Sequence, residues 1–509
     1  MSNRTVNSIK NVFTGVGGQI VTTILSFINR SVFLAVLGIT YASINGLFMN
    51  ILAILSLAEL GIGEAIIFSM YKPIANNDNE KIKSLLNLYK KAYSYIGGIV
   101  AIGGILIIPF IHYLVPNENR VNGLITIYLF FLMNSVISYF YVYKKSIILA
   151  NQKAYISNIY TTIFNVIKTI LQIILLLVTG SFIIYLSIQI ICTLITNIII
   201  SKKADTLYPY IKENANELEK KESKHIFENI KALTIYKIGG VLMNSTDNII
   251  ITKFVGLDWV GYVSNYNLII GSVSMVLNNI FVGITASVGN LVATESNEKK
   301  YFMFKVINFI NFWMFSFSSV AILILSNRFI ELWIGKEYVV EWALLFVLVI
   351  NFYLLGMQNS IWVFRGATGI FKETKFIILI TTVINLTLSY ILSIKFGVIG
   401  VFVATIIARI MTNIWYEPYV LFEKYFNVNF IKYILNFIKY VIIFCFMYIV
   451  TLFSSSFIRG NTILDFLKSL VLVCLIPNLI VITISFKTEE FIYLKDIIIN
   501  KVFKKKVNI

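Results

Sequence analysis

The sequence predicts an all-α integral membrane protein of about fourteen transmembrane helices: two six-helix pseudo-symmetric bundles followed by two additional helices. Three observations predict it. Of 509 residues, 58% are hydrophobic, 15% aromatic and only 13% charged, with a mean hydropathy of +0.81, more apolar surface than a water-soluble domain can hide. The charges that do occur fall at regular intervals between apolar runs. The two halves of the chain also carry matching residues at matching spacings.

Apolar runs bounded by charge, Pro or Gly place spans at roughly 12–37, 42–71, 92–115, 121–143, 157–179, 181–201, 232–255, 262–290, 303–326, 340–364, 376–396, 398–421, 433–454 and 462–486. The first follows a basic flank, Arg4 and Lys10, and has no small-residue cleavage site, so it reads as an uncleaved span. Lys72 with Pro73 ends the second, Lys90 and Lys91 open the third, and Pro116 to Arg120 separate the third from the fourth. Gly180 and Ser181 make the turn between the fifth and sixth. After Lys202 and Lys203 comes a mixed-charge stretch, KENANELEKKESKHIFENIK, which reads as a solvated linker. Gly256 to Gly261 separate the seventh and eighth spans, and Asn327 to Glu341 form the longest outer connection. Arg365 to Lys375 close the tenth, and Gly397 divides the eleventh from the twelfth. The resulting organisation is an N-terminal bundle at 1–201, a cytoplasmic linker at 202–231, a C-terminal bundle at 232–421, two additional helices at 433–486 and a tail at 487–509. The tail, FIYLKDIIINKVFKKK, reads as a basic amphipathic helix on the inner headgroups.

Charge tests this count. Most of the 43 Lys and Arg fall on one set of alternating connections, while the other set carries only Arg120, Lys253, Arg328, Lys336, Lys395, Arg459 and Lys468. Missing or inventing one span would scramble that bias, so an even number of spans is expected, with both termini cytoplasmic in a multi-pass protein of the cell membrane. The net charge of +18 is then a matter of topology and of anionic membrane lipids, and nucleic acid is not an expected partner. The three cysteines, Cys192, Cys445 and Cys474, read as small core residues. With only His112 and His225 besides, neither a metal site, a cofactor nor a catalytic triad is expected.

The duplication is visible in TTIFN at 161–165 with Gly180, against TTVIN at 381–385 with Gly400. Arg30, Gly38 and Tyr41 similarly precede Asp247, Gly256 and Trp259 by a near-constant interval. Two parallel repeats of six spans, as in transporters that alternate access, follow from this.

Three stretches carry a family resemblance: LGITYASINGLFMNILAILSLAELGIGEAIIFSMYKPIANND (Leu37 to Asp78), STDNIIITKFVGLDWVGYVSNYNLIIG (Ser245 to Gly271), and FRGATGIFKETK with NLTLSYILSIKFGVIGVFVATIIA (Phe364 to Ala408). They resemble the polysaccharide transporter branch of the multidrug, oligosaccharidyl-lipid and polysaccharide exporter superfamily. The resemblance implies a flippase, not an enzyme, that moves an undecaprenyl-pyrophosphate-linked oligosaccharide repeat from the inner to the outer leaflet for capsule or exopolysaccharide synthesis. Glycan polymerase and glycosyltransferases are the candidate protein partners. By resemblance the last two spans flank a groove for the polyprenyl tail. The alternatives are a small-molecule or drug antiporter on the same fold, disfavoured by the cationic spans, and a membrane glycan polymerase, disfavoured by the short outer loops.

Charges inside spans cost about 2.5 to 3.5 kcal/mol each near mid-membrane and should face the bundle interior. Arg30, Lys168 and Arg409 are the candidate ligands of a pyrophosphate, since Arg supplies bidentate permanent donors and Lys a point charge. Asn165 and Asn385 head a set of span amides suited to sugar hydroxyls. Asp247, Glu59 and Glu64 are candidates for gating or ion coupling. At about 1.5 Å per residue, Arg30 lies about 12 Å and Asp247 about 13 Å below their outer turns, so they are expected to meet when the outer side closes. Glu59, about 26 Å deep, is too far from Arg30 to pair with it.

Overall fold

In hydrocarbon a helix satisfies its own backbone, and no strand interrupts the helices among the described residues. The computed structural model describes residues 3–59, 61–115, 121–213, 218, 238–243, 245–370, 373, 374, 376–458, 460 and 462–503. Among them, eleven helices are long and apolar enough to cross a membrane.

Two of these helices each carry two of the expected spans. Helix α1 (Asn3–Leu55) turns at Gly38, whose φ of 77° and ψ of −177° are non-helical, and a single glycine does the work of a loop because it lacks the Cβ that penalises positive φ. Helix α2 (Ile62–Ala75) completes the second span. Then come α3 (Asn79–Leu114), α4 (Leu124–Tyr139), α5 (Lys145–Ala150), α6 (Ala154–Thr179) and α7 (Phe182–Leu207). Helix α8, described at residues 238–243 and 245–250, runs into a π-helical turn, Ile251–Val255, that ends at Gly256. Helices α9 (Leu257–Thr294), α10 (Asn297–Trp333), α11 (Trp342–Met357) and α12 (Asn359–Thr368) follow. Helix α13 (Ile377–Met411) turns at Gly397 (φ 59°, ψ −140°). It continues through α14 (Asn413–Tyr419) into a second π-helical turn, Val420–Phe426. Helices α15 (Ile431–Ser456), α16 (Ile463–Ser485) and α17 (Glu489–Phe503) complete the chain. Counting α8 and the two double helices gives the expected fourteen spans.

The left-handed turn after the fifth span is Gly180 (φ 61°), and the one after the eleventh is Gly397 (φ 59°). Gly397, and not Gly400, is therefore the structural counterpart of Gly180. Gly400 instead lies inside a helix, against the backbone of Leu392.

The chain divides into two compact units, Met1–Gly261 and Tyr262–Ile509. In the first, α1 packs along α6, α6 on α7, α7 on α4, α4 on α3 and α3 on α2. Small residues permit close approach: Gly104 faces the Leu132 side chain, and its carbonyl accepts the Tyr128 hydroxyl at 2.9 Å. At the lysine-rich end of this unit, Lys144 grips both carboxylate oxygens of Asp205 at 2.7 Å. Lys83, 5% exposed, bridges Glu80 at 2.6 Å and Glu213 at 2.9 Å. Beyond α7 only a short turn, Pro209–Lys212, is described of the expected linker. The rest, with its mixed-charge helix and His225, lies almost entirely outside the described residues.

Helix α10 is the axis of the second unit and packs against α11, α12, α15, α16 and α17. Phe312 stacks on Tyr440 at 4.0 Å, and Tyr353 of α11 stacks on Phe444 at 4.5 Å. Polar ties fix the same contacts. Trp313 Nε1 donates to Asn478 Oδ1 at 2.7 Å. Arg328 donates to the Ile458 carbonyl at 2.7 Å and to the Ser469 hydroxyl, so one guanidinium joins the end of α15 to α16. The tail helix α17 is docked on α10: Lys305 pairs with Glu489 at 2.8 Å, and Tyr493 meets Phe302 at 5.3 Å. The Lys305 ammonium holds the Glu489 carboxyl below its usual range.

Of the cysteines, only Cys192 is buried, whereas Cys445 and Cys474 are exposed, contrary to the expectation that all three are core residues. An apolar residue in such a chain is as well placed facing lipid as facing protein, and Leu106, Val178, Phe396 and Ile442 are exposed in the same way. Removing the Arg328 tie in Arg328→Ala is expected to cost about 1–3 kcal/mol of stability, read as a lower thermal midpoint of tryptophan fluorescence in detergent. An unchanged midpoint would mean that the Arg328 contacts carry no weight in holding α15 and α16.

Candidate functional site

The second span is broken where its carboxylate lies. After Leu55 the helix tightens into a 3-10 turn, Ser56–Glu59, and restarts behind Gly61, which is left-handed at φ 84°. A break of this kind frees backbone groups and places Glu59 at the discontinuity. Its Oε1 accepts the Tyr93 hydroxyl at 2.6 Å. Tyr89 meets Tyr93 edge to face at 4.4 Å, and Tyr139 meets it at 5.9 Å. Gly63 leaves the room, since a Cβ there would lie 2.6 Å from the Tyr89 hydroxyl and 3.0 Å from that of Tyr93. The carboxylate is thus held by the Tyr93 phenol of α3, which offsets part of its desolvation. The side chain of Glu64, one turn further along α2, lies outside the described residues.

The expected cations are placed in two different ways. Lys168 on α6 is part-buried and donates to Asn165 Oδ1, one turn away, at 3.2 Å, so these two predicted site residues are brought together. Arg30 on α1 donates to the Gly261 carbonyl at 3.2 Å, beside Asn29, whose amide meets the Tyr185 hydroxyl at 2.6 Å. Asp247 on α8 belongs to the same unit, with its Oδ1 buried. Arg409 belongs to the second unit, is only 7% exposed, and donates to the Asn351 carbonyl of α11 at 3.0 Å.

The amides divide similarly. Asn385 is fully buried between the two arms of α13, donating to Thr405 Oγ1 at 2.9 Å and to Ser389 Oγ at 3.4 Å. Asn413 accepts from Thr381 at 2.5 Å and from Thr412 at 3.2 Å. Gln172 is 2% exposed and spans to the Tyr185 carbonyl at 3.1 Å. All three do the interhelical work that polar residues do in membranes.

One buried cluster has no counterpart in the sequence reading. Arg365 of α12 pairs with Glu417 of α14, and Trp362 Nε1 donates to the other carboxylate oxygen at 2.9 Å. Glu417 is 2% exposed and Arg365 7%. The signal was a lone acid in the apolar run IWYEPYV, which passes for a span end when read beside the lysines that follow. Among the described residues no group of three or more His, Cys, Asp or Glu could hold a metal ion.

No family model and no curated protein sequence matches this chain. Solved structures do match its fold. A lipid II flippase, MurJ, in an inward closed conformation superposes with a TM-score of 0.69 at 16% identity, covering 93% of this chain and 99% of the flippase. An inward-facing multidrug resistance transporter of the MATE family superposes at 0.62 and 15% identity, covering 77% of this chain and 91% of its own. A transporter of the MOP superfamily from Pyrococcus furiosus, described as having a binding pocket of reversed polarity, superposes at 0.55 and 14% identity over 80% and 92%. The chain therefore has the fold of MOP superfamily transporters, the superfamily its sequence resembles, and is a multi-pass membrane protein.

Two predictions follow from this geometry. Glu417→Ala strands the Arg365 guanidinium and is expected to destabilise by about 3–5 kcal/mol, with much of the loss recovered in Arg365→Met/Glu417→Leu, as removal of a buried ion pair as a whole is tolerated. Protein yield and thermal midpoint in detergent measure both. Tyr93→Phe leaves the Glu59 carboxylate short of a donor and is expected to cost about 1–3 kcal/mol, with Glu59→Gln/Tyr93→Phe less affected; equal midpoints for Tyr93→Phe and the parent would mean that the hydrogen bond carries no weight.

Proposed function

We propose that this chain is a flippase that carries a polyprenyl-pyrophosphate-linked oligosaccharide from the inner to the outer leaflet of the cell membrane by alternating access. The observation that carries this reading is coverage. The flippase structure accounts for 93% of the chain and the multidrug transporter for 77%, so the surplus over that multidrug transporter is matched by a protein named as a flippase of lipid II. The in-span charge supports the same substrate. Arg30 and Lys168 are part-buried cations of one unit, suited to a diphosphate and unsuited to cationic drugs. Asn165, already on the Lys168 ammonium, keeps its amide for a phosphate or sugar oxygen. Arg409 and Asn385, tied to α11 and within α13, act by fixing those helices more than by touching substrate. The lysine-rich ends, with both termini, face the cytoplasm in this reading.

Asp247 and the Glu59 cage are the groups through which a conformational change would be sensed, Glu59 because it sits on the break between α1 and α2. An export assay tests the reading. In proteoliposomes, the parent protein is expected to translocate a fluorescent polyprenyl-pyrophosphate saccharide. Arg30→Ala and Lys168→Ala are each expected to lower the rate at least about tenfold at equal protein levels, and Arg30→Lys to retain part of it because the charge stays while the fork is lost. Parent-like rates in both alanine variants would sink the assignment of these cations.

A further inference from the structure

The lysine-rich end of the first unit carries a polar cavity at the ends of α1, α2 and α5. It has a volume of about 520 Å³ and is lined by Asn7 of α1, Tyr71 with Ile74 and Ala75 of α2, and Ala150, Asn151 and Gln152 at the end of α5. That volume is within the range of ligand pockets, about 300–1,000 Å³.

The cavity is built and not merely left over. Asn11 of α1 clasps the turn between α5 and α6, donating to the Gln152 carbonyl at 2.9 Å and accepting from the Tyr155 amide at 2.7 Å. Gln152 itself is held at φ 59°, a conformation that a side chain other than glycine's adopts rarely. Its side-chain amide and that of Asn7 have no hydrogen-bond partner among the described residues, and Asn151 spends its Nδ2 on the Ile147 carbonyl at 2.8 Å, leaving an acceptor. The walls thus offer amides that both donate and accept, a phenol ring, and a small apolar floor. Among the described residues no charged side chain lines the cavity. Cations stand beside it: Lys10, one turn from Asn7, lies over Tyr155 at 5.3 Å, and Lys153, next to Gln152, over Tyr208 at 5.4 Å.

Neutral amides with an aromatic face suit a sugar ring, whose hydroxyls need both donors and acceptors. Flanking ammonium groups suit an attached phosphate. We propose that this cavity is a docking site for the membrane-proximal sugar of the lipid-linked saccharide, engaged at the lysine-rich end before translocation. The site is distinct from the Arg30 and Lys168 cations, and its assignment to this substrate rests on the flippase reading above.

The test uses the full chain in detergent and a short-chain probe, farnesyl-pyrophosphoryl-N-acetylglucosamine, with farnesyl pyrophosphate as the sugar-free control and phosphatidylglycerol as the lipid-headgroup control. Binding is measured directly, by intrinsic fluorescence, and transport separately in proteoliposomes. Asn7→Ala/Gln152→Ala, both clear of the Asn11 clasp, is expected to weaken binding of the sugar probe about tenfold. It should raise the half-saturating concentration for transport by the same factor at unchanged maximal rate, the pattern of lost uniform binding. Neither control should distinguish the variant from the parent. Equal binding of the sugar probe by parent and variant would overturn the proposal, and so would an equal loss for farnesyl pyrophosphate or phosphatidylglycerol, which would make the cavity a phosphate or lipid-headgroup site. Amide-dependent binding of the sugar probe without transport by the parent would keep the docking site and defeat the flippase reading; normal transport with unaltered binding by the variant would do the reverse.

Discussion

A hydrocarbon solvent offers no partner to a polar group, and several departures from a plain apolar helix in this protein are matched to an internal partner. The break after Leu55 puts Glu59 within 2.6 Å of a tyrosine hydroxyl. Arg409 reaches a backbone carbonyl of a neighbouring helix at 3.0 Å, and Glu417 is met by both a guanidinium and an indole. Where the chain must reverse, it does so at single glycines such as Gly38 and Gly397, which expose the fewest unsatisfied backbone groups.

The same constraint sorts the in-span charges by burial. Arg365, Glu417 and Arg409 are nearly inaccessible, and their donors and acceptors are directed at the protein. Arg30 and Lys168 are only part-buried, Arg30 donating to the Gly261 carbonyl and Lys168 to Asn165 Oδ1, each at 3.2 Å. The amides divide along the same line, since Asn385, Asn413 and Gln172 are consumed by packing.

In the second unit α10 gathers these constraints. Its aromatic face stacks on α15, its Trp313 and Arg328 reach α16, and its Lys305 holds α17. The two helices that stand outside the internal repeat are thereby built into the unit and not appended to it. The tail, which composition alone assigns to the headgroups, is fastened by an ion pair and an aromatic contact.

The sequence by itself determined the class and the number of spans, because hydropathy and the alternation of lysine are one-dimensional properties that a bilayer reads directly. It also determined which residues bear charge at depth, with Arg30, Glu59, Lys168, Asp247 and Arg409 each recognisable as a lone ion in an apolar run. Only the tertiary structure decided what those residues touch. Whether a cation is spent depends on a carbonyl tens of residues away, as Asn351 is from Arg409, and no spacing announces it. Glu417 escaped notice because its partner Arg365 sits on a separate helix. Gly400 matched Gly180 by offset, yet Gly397 makes the turn, because positive φ is chosen by where two helices must part and not by register. The Asn7 and Gln152 cavity likewise exists only because Asn11 folds a turn from residue 152 against the first helix, joining polar residues that in the sequence belong to three unrelated segments.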